Sequence, residues 1–365
     1  MKVGLIGLKG HYGVVLEGLK LLEDVELVAV ADNEDERLRN FPSADVRKYK
    51  NWRELLDRER LDAVVETDMD GRRAEVLVEC ARRRLPVLAE KPLAMNLEQL
   101  EAVRQAVQES GIRLSMLLTM RFESPYRVFR DLVLSGRVGK VCLASAQKSY
   151  KLGRRPAWQK DKRTFSGIIP FIGVHALDLI RWTTGEEFVE VTAYQGNTGH
   201  PEAGDMEDQA VLALRLSGGG SADVRLDYCR PQAAPTHGDD RLRVAGSSGV
   251  AEAMGGKVVL ITQEARTGER IRGLRGRLED LEAVRGAAGG CVQDHRGRAQ
   301  GQGLRGGEKA GAAVKGEICS RSEREGLRSR LLWGRGLRVT AFTCTGGQGG
   351  YTTTSPPGCW CWTTG

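Results

Sequence analysis

Short apolar runs alternate with amphipathic stretches through the first 120 residues of the chain. The runs are rich in Val, Leu and Ile, as in strands buried on both faces, and the stretches between them repeat apolar positions at helical spacing. This alternation predicts a parallel sheet covered by helices on both faces. The predicted strands are 2–7, 25–31, 61–65, 85–89 and 112–119, and the predicted helices are 12–22, 52–57, 75–84 and 97–110, the last capped by Asn96 and stopped by Gly111.

Beyond about residue 122 the pattern changes to strand-like runs joined by short turns. Sequential strands of this kind predict a mostly antiparallel sheet, and therefore an α+β domain. We predict an α/β domain over residues 1–122 and an α+β domain over 123–270. The predicted strands are 140–149, 187–194, 208–216, 220–228, 241–245, 250–254 and 258–261, with helices at 128–135 and 174–184.

Residues 271–365 form a glycine- and arginine-rich tail without apolar periodicity. Such a composition buries too little apolar surface to offset the entropy of ordering, so we predict a disordered tail. The alternative is an aberrant tail, a GC-rich reading frame translated out of register, because a flexible native tail would seldom end in CWCWTTG. Translating the coding DNA in the other two frames tests this alternative, which fails if neither frame restores an amphipathic pattern.

The formal net charge of +7 belongs to this tail. The tail has 15 lysines and arginines against 8 acidic residues, whereas the first 270 residues carry 40 charges of each sign. A neutral body lacks the electrostatic footprint of a nucleic-acid-binding protein, and the tail lacks aromatic residues among its basic ones until its end. We therefore expect no nucleic-acid partner.

The composition also bears on compartment, membrane and metal. The chain has no run of 18 apolar residues, and glycines interrupt its N-terminal sequence MKVGLIGLKGHYG. We therefore predict a cytoplasmic protein with no membrane span and no signal peptide. We predict that Cys80, Cys142 and Cys229 are buried thiols of a reducing compartment. The cysteines of the tail lack paired metal-ligand spacing, so no metal is expected.

The sequence Gly7-Leu8-Lys9-Gly10-His11-Tyr12-Gly13 lies between the first predicted strand and the first predicted helix. Glycine lets the backbone turn sharply and approach a pyrophosphate, which then lies on the free N–H groups of the helix N-terminus. The spacing is GxxGxxG, one residue longer than GxGxxG. Asp32 ends the second strand, where a carboxylate accepts hydrogen bonds from ribose hydroxyls and repels a 2′-phosphate. The pattern predicts a dinucleotide site that prefers NAD to NADP; a bare structural turn is the alternative.

Two further segments carry residue types suited to proton transfer. Lys91, in Glu90-Lys91-Pro92, ends a strand at the sheet edge where ligands bind, and it can move the proton of a substrate hydroxyl. His175, in the sequence GVHALD, is placed by helical spacing beside Asp178, and a histidine in a cleft suits acid–base chemistry. The alternatives are a solvated lysine paired with Glu90 and a purely structural histidine.

The glycine turn, EKP at 90–92 and GVHALD at 173–178 together resemble the glucose–fructose oxidoreductase/inositol dehydrogenase/MocA (Gfo/Idh/MocA) family. The segments MRFESPYRVFRDLVLSGRVGKV (120–141) and GDDRLRVAGSSGVAEA (238–253) add to a resemblance that covers residues 1–270. The resemblance implies a Rossmann domain followed by an open antiparallel sheet that often serves for homo-oligomerisation. It also implies NAD(P)-dependent oxidation of a sugar or cyclitol hydroxyl, or reduction of the ketone.

The resemblance also implies roles for individual residues. Lys91 becomes the proton relay in contact with nicotinamide ribose and substrate, His175 becomes the second catalytic group, and Asp178 helps to hold the helix. The implied cofactor-binding residues are Gly7, Leu8, Lys9, Gly10, His11, Tyr12, Gly13, Asp32, Glu90 and Lys91. The implied substrate-binding residues are Arg121, Arg155, Trp158, Lys162 and His175.

Three features depart from the family pattern. Phe171 stands four residues before the histidine, where members often have an aspartate, so an acid–base pair is missing and the pocket is more apolar. Asp68 and Asp70 stand in a turn beside the cofactor, where two carboxylates would repel a diphosphate unless they point away. The tail offers no closing strand and helix for the first domain, which predicts an uncovered apolar groove.

We therefore predict an oxidoreductase that transfers a hydride between NAD(H) and a hydroxyl or ketone of a sugar, cyclitol or related polyol. The alternative is a non-catalytic dinucleotide-binding protein of the same fold, either a sensor or a defective product. Phe171 and the turn with Asp68 and Asp70 favour this alternative. The intact EKP and GVHALD sequences favour the enzyme, because a pure binder does not need proton-relay residues.

Overall fold

The structure, a computed structural model, describes residues 1–263 together with the backbone of 266–270 and 338–339. Several predictions concern the tail and fall outside the described residues. They are its disorder, its alternative origin from a shifted reading frame, and its lack of a strand and helix that would close the apolar groove of the first domain. The first half of the chain forms β1 (Lys2–Ile6), α1 (Tyr12–Leu19), β2 (Glu26–Ala31), α2 (Asp35–Arg39), β3 (Arg47–Tyr49), α3 (Trp52–Arg58), β4 (Ala63–Glu66), α4 (Asp70–Arg82), β5 (Val87–Ala89), α5 (Leu97–Ser110) and β6 (Leu114–Met116).

The strands of this half form a six-stranded parallel sheet in the order β3-β2-β1-β4-β5-β6. One apolar cluster joins this sheet to α3, α4 and α5, and a second joins it to α1 and α2. This is the strand order of a Rossmann fold, and the order reverses between β1 and β4. The predicted α/β architecture is confirmed, and the crevice at the carboxyl ends of β1 and β4 is where such folds bind ligands.

The differences from the predicted elements lie in short, polar segments. Helix α2 and strand β3 were not predicted, because their sequences DERLR and RKY carry no apolar periodicity. Helix α4 begins at Asp70, five residues before its predicted start at 75. Its first turn is DGRR, in which Arg73 is buried by ion pairing and gives no hydrophobic signal.

The second half forms a nine-stranded sheet in the order β14-β13-β12-β11-β7-β10-β9-β8-β15, counted over the described backbone. Its pairings are antiparallel except for β7 with β10 and β8 with β15, which confirms a mostly antiparallel, open sheet. The elements are α6 (Ser124–Leu134), β7 (Val141–Tyr150), α7 (Val174–Thr184), β8 (Phe188–Gly196), β9 (Gln209–Leu216), β10 (Ser221–Asp227), β11 (Gly238–Gly246), β12 (Gly249–Met254), β13 (Lys257–Thr262), β14 (Arg266–Arg270) and β15 (Arg338–Val339).

Helices α6 and α7 cover one face of this second sheet. Buried and exposed residues alternate along strand β9, as expected for a sheet with one covered face, and the buried ones belong to the core under the helices. The opposite face exposes apolar side chains, including Leu143, Tyr194 and Val211. A homo-oligomer through this face stays a prediction, as do the predicted domain limits. No helix in the described part of the chain is long and apolar enough to cross a membrane.

The prediction of three buried cysteines is correct only for Cys80. Cys80 lies in the core between α4 and the sheet, and burial raises its pKa to about 12. Cys142 and Cys229 are exposed. Cys142 lies opposite the register shift between Ala245 and Gly246, where the alternation that buries Ala144 is interrupted. Cys229 lies just beyond β10, directly after the buried Tyr228.

Helix α5 provides a direct test of a predicted cap. The Asn96 side chain accepts a hydrogen bond from the N–H of Gln99 at 2.9 Å, and Gly111 ends the helix in the left-handed region with φ of 68°. Replacing Asn96 with Ala should lower the free energy of unfolding by about 1 kcal/mol, because the cap is lost. Urea denaturation measures this loss; Asn96→Asp, which keeps the acceptor, should retain wild-type stability, and equal losses in both variants would contradict the role of the cap.

Candidate active site

The glycine turn wraps around the carboxylate of Glu90. Oε2 of Glu90 accepts hydrogen bonds from the backbone N–H of His11 at 2.8 Å and from its Nδ1 at 2.7 Å. A Cβ at Gly10 would lie 2.7 Å from the same oxygen, and a Cβ at Gly7, where φ is 85°, would collide with the backbone of Asp68. Burial raises the pKa of Glu90, but the hydrogen bond from His11 and the charges of His11 and Lys91 outweigh it and lower the pKa to about 2. Glycine is therefore required at positions 7 and 10, because neighbouring atoms lie too close for a side chain.

The N-terminus of α1 is open for a ligand. A Cβ added at Gly13 would meet nothing within 4 Å, so the backbone there faces free space. The first N–H groups of a helix have no acceptors within it, and they carry the positive end of the helix dipole. A diphosphate fits this arrangement, so the glycine turn suits a dinucleotide.

Asp32, at the end of β2, is surrounded by hydrogen-bond donors. Its Oδ2 accepts from the N–H of Leu8 at 2.8 Å, and its Oδ1 accepts from the N–H of Glu34 at 2.8 Å. The ammonium of Lys9 lies 3.2 Å from Oδ1 and 3.1 Å from Oδ2. The carboxylate therefore lies where a ribose ligand was predicted, but its charge is compensated by Lys9.

The two acidic residues after β4 are also paired. Asp68 Oδ1 lies 3.0 Å from the ammonium of Lys9. Asp70 Oδ1 lies 3.1 Å from Arg73, and its Oδ2 accepts a hydrogen bond from the Ser166 hydroxyl at 2.5 Å. Asp70 is thus held by Arg73 and by Ser166 of the loop before α7, and the repulsion predicted from the sequence is reduced by these partners.

Lys91 lies deep in the cleft between the two sheets. Only 3% of the residue is exposed, and its Nζ donates a hydrogen bond to the backbone oxygen of Phe171 at 2.7 Å. Burial lowers the pKa of Lys91 to about 8, against the opposing charges of Glu90 and Asp70. An amine with this pKa exchanges a proton near neutral pH, as a general acid or base must.

Phe171 places an aromatic face where the family pattern suggested an acid. It lies in a π-helical turn, Ile169–Gly173, directly before α7, and its ring centroid is 3.7 Å from Nζ of Lys91. Its ring packs edge-on against those of Trp158 and Phe165, at 6.2 and 5.1 Å between centroids. Trp158 and Lys91 therefore line the same pocket. The pocket is lined by Lys9, Gly10, His11, Asp68, Asp70, Arg73, Glu90, Lys91, Trp158 and Phe171.

His175 begins α7 beside this pocket and is 9% exposed. Burial, followed by the positive charges of Lys91 and Lys148, lowers its pKa to about 2, so the ring stays neutral at physiological pH. Its Nδ1 is buried and has no hydrogen-bond partner among the described residues. A neutral imidazole with a free nitrogen can donate to or accept from a bound hydroxyl, depending on its tautomer.

Three predicted substrate residues have protein partners. Arg121 forms a bidentate ion pair with Asp178, which ties α7 to the short helical turn Thr119–Phe122 before α6. Lys162 pairs with Glu207. The Arg155 guanidinium stacks on a tyrosine ring, Tyr228, at 4.2 Å, and its Nε is buried without a partner in the described structure. Their substrate contacts stay predictions, as do the other site assignments.

Sequence reasoning missed Lys148, Tyr228 and Arg73. Lys148 is 2% exposed, and its ammonium lies 2.9 Å from Asp240 Oδ1. Both Lys148 and Tyr228 follow the two-residue alternation of buried side chains in their strands, Lys148 in phase with Ala144 and Ala146. A charged residue at a core-facing strand position was the available signal. For Arg73, the only signal in the sequence was its position three residues after Asp70 at the start of a helix.

The fold and the site together define a dinucleotide-binding oxidoreductase. Residues 1–118 match the family model for the NAD-binding Rossmann fold of an oxidoreductase family, and residues 126–252 match the GFO/IDH/MocA C-terminal domain. The chain belongs to the Gfo/Idh/MocA family and is an NAD-dependent dehydrogenase by this membership. The predicted family, enzyme class and NAD cofactor are confirmed.

Individual relatives support the assignment. The chain is 29% identical over 256 residues to a myo-inositol 2-dehydrogenase of Thermotoga maritima, covering 68% of this chain and 74% of the relative. A solved structure from Thermotoga maritima assigned as an oxidoreductase has a TM-score of 0.73 and 30% identity, covering 80% of this chain and 91% of that one. An oxidoreductase from Agrobacterium radiobacter, solved with NAD+, L-tartaric acid and magnesium, shares the fold with a TM-score of 0.68, 19% identity, and coverage of 79% and 89%.

Arg73 provides a test of how the site is held together. Its guanidinium is 1% exposed and contacts Glu66 at 2.7 Å and the backbone oxygen of Pro92 at 2.6 Å. Arg73→Leu should lower the free energy of unfolding by about 3–5 kcal/mol, because Glu66 is left buried without its cation.

Urea denaturation followed by tryptophan fluorescence measures the effect. The matched control is Arg72→Leu, whose side chain is 38% exposed beside Asp68. We expect this control to lose less than about 1 kcal/mol, because the half-exposed Arg72 lies 3.7 Å from Asp68 and makes only a weak ion pair. Similar small losses in both variants would show that the buried network does not hold the turn.

Proposed function

We propose that this protein transfers a hydride between NAD(H) and a secondary hydroxyl or its ketone in a sugar, cyclitol or related polyol. The observation that carries the proposal is the buried Lys91, which lines one pocket with Gly10 and His11 of the glycine turn and whose charge lowers the pKa of the buried His175. The relative named myo-inositol 2-dehydrogenase supports a cyclitol as the first compound to test.

NAD would be held by the glycine turn, with its diphosphate at the N-terminus of α1 and its adenosine ribose near Asp32. When bound, it accepts a hydride from the carbinol carbon or returns one to the ketone. Glu90 helps by holding the turn, because its two oxygens accept hydrogen bonds from the N–H groups of His11 and Lys91. The placement of each contact is part of the proposal.

Lys91 serves in this proposal as the group that takes and returns the hydroxyl proton. Its neutral form accepts a proton from the substrate hydroxyl, and its ammonium form gives the proton back in ketone reduction. Phe171 offers a backbone oxygen and a ring face to the ammonium rather than a carboxylate. Because no carboxylate among the described residues pairs with Nζ directly, burial has the largest effect and lowers the pKa of Lys91 to about 8.

In the described structure, three buried polar side chains that each have an unpaired atom favour a substrate with several hydroxyls. Buried atoms of His175, Arg155 and Tyr228 lack hydrogen-bond partners among the described residues. A buried polar group without a partner costs about 1–3 kcal/mol, so a ligand that satisfies several of them gains affinity and orientation. The apolar walls formed by Trp158 and Phe171 suit the C–H face of a ring.

Two variants of Lys91 test its role. Lys91→Met removes the titrating group, and Lys91→Arg keeps a positive charge that does not deprotonate. Both should lower kcat for polyol oxidation by about 10²–10⁴-fold while NADH still binds, as expected for loss of general acid–base catalysis. Turnover is measured as NADH formation with a panel of cyclitols and aldoses; normal turnover by Lys91→Met would refute the assignment.

The pH dependence provides an independent test. Since burial lowers the pKa of Lys91 to about 8, its neutral form increases as pH rises through that value. We expect kcat/KM for oxidation to rise to a plateau above about pH 8, and kcat/KM for reduction to fall over the same interval. His175 stays neutral throughout and contributes no limb near pH 6. An oxidation profile that falls between pH 7 and 9 would contradict the proposal.

A non-catalytic dinucleotide-binding protein is the second candidate. Phe171 favours it, because its ring, rather than a carboxylate, lies against Nζ of Lys91. Saturable NADH binding, followed by nicotinamide fluorescence, combined with no turnover across the panel in either direction would support this candidate. Turnover of any polyol that is lost in Lys91→Met would support the enzyme.

A further inference from the structure

The ammonium of Lys9 lies among three carboxylates at the edge of the parallel sheet. It is 3.1 Å from Asp32 Oδ2, 3.0 Å from Asp68 Oδ1 and 3.6 Å from Glu34 Oε1, and it also donates to Asn33 Oδ1 at 2.9 Å. The side chains of Lys9, Asp32 and Asp68 are exposed by 1%, 0% and 4%. These charges therefore interact with little screening by water.

Lys9 also lies in the lengthened spacing between the first two glycines of the turn. The turn reads GxxGxxG, and Leu8 and Lys9 both separate Gly7 from Gly10. The N–H groups of Lys9 and Gly10 donate to the backbone oxygen of Thr67 at 3.2 and 2.8 Å, directly before Asp68. The longer turn therefore lies against the segment that carries the unusual acid, with the Lys9 side chain between Asp68 and Asp32.

We propose that Lys9 is a determinant of dinucleotide affinity and specificity, acting by offsetting part of the negative charge of Asp68 and Asp32. Without it, the buried carboxylate of Asp68 would face the diphosphate bound at the turn, and like charges at such short range repel strongly. Asp32 would likewise present a bare charge to the adenosine ribose and exclude a 2′-phosphate. With it, the turn accepts a diphosphate and discriminates less against NADP(H) than Asp32 alone would.

A double-mutant cycle with NADH binding as the readout tests the proposal. Lys9→Met should weaken NADH binding by about tenfold or more in the wild-type background, and by less than about threefold when Asp68→Asn is also present, because the repelling charge is then gone. Equal losses in the two backgrounds would overturn the proposal. The binding assay uses no substrate, so it does not depend on the polyol chemistry being correct.

Asp68→Asn by itself provides a variant that keeps Lys9 paired with Asp32. Asn retains the oxygen that accepts from the N–H of Met69 at 2.8 Å, so the turn should keep its shape. We expect NADH to bind to this variant as tightly as to wild type or more tightly. Weaker binding by Asp68→Asn would overturn the proposal even if Lys9→Met proved too unstable to purify.

The ratio of NADPH to NADH dissociation constants separates this role from a merely structural one. Lys9→Met should raise the ratio by about tenfold, because the uncompensated Asp32 repels the 2′-phosphate more than it affects NADH. The matched control is Arg72→Met, which removes the more exposed cation 3.7 Å from Asp68 Oδ2 and should leave the ratio unchanged. A ratio that does not move in Lys9→Met would overturn the specificity part of the proposal.

Discussion

The buried guanidinium of Arg73 is the interaction on which the rest of the site depends. It contacts the carboxylates of Glu66 and Asp70 and the backbone oxygens of Asp68 and Pro92. These partners lie at the end of β4, in the turn that follows it and directly after Lys91. Because a buried charge is tolerated only with good partners, the network defines one arrangement of these three segments. The hydrogen bonds from Ser166 to Asp70 extend that arrangement to the loop before α7.

Burial lowers the pKa of both candidate catalytic groups, but it leaves them in different charge states near neutral pH. Desolvation lowers the pKa of both Lys91 and His175, but carboxylates near Lys91 limit its shift, whereas His175 is close to two ammonium groups. Lys91 is thereby left able to exchange a proton near neutral pH, and His175 is left as a neutral hydrogen-bonding group. Phe171 belongs to this balance, because a carboxylate at its place would stabilise the ammonium of Lys91.

The departures from the family pattern compensate one another in space. The extra residue in the glycine turn brings the ammonium of Lys9 to Asp68, the acid that looked incompatible with a diphosphate. Asp70, the second such acid, is occupied by Arg73 and Ser166. Taken alone, the turn with Asp68 and Asp70 argued against a bound diphosphate. Together, Lys9, Arg73 and Ser166 give both acids a partner beside the N-terminus of α1, which reduces their repulsion of a diphosphate.

The sequence by itself determined the local elements, the fold class and the family. Hydrophobic periodicity acts over a few residues, which is why the helix at 174–184 was predicted at its observed bounds, and glycine and proline marked the turn and the EKP segment. Tertiary structure alone decided which polar groups meet. Lys91 donates a hydrogen bond to the backbone oxygen of Phe171, which is 80 residues away in the sequence. Lys148, Tyr228 and Arg73 are likewise buried by residues that are distant in the sequence. Ion pairs and hydrogen bonds across the fold leave no local periodicity, so the residues that set the charges of the site had to be located in three dimensions.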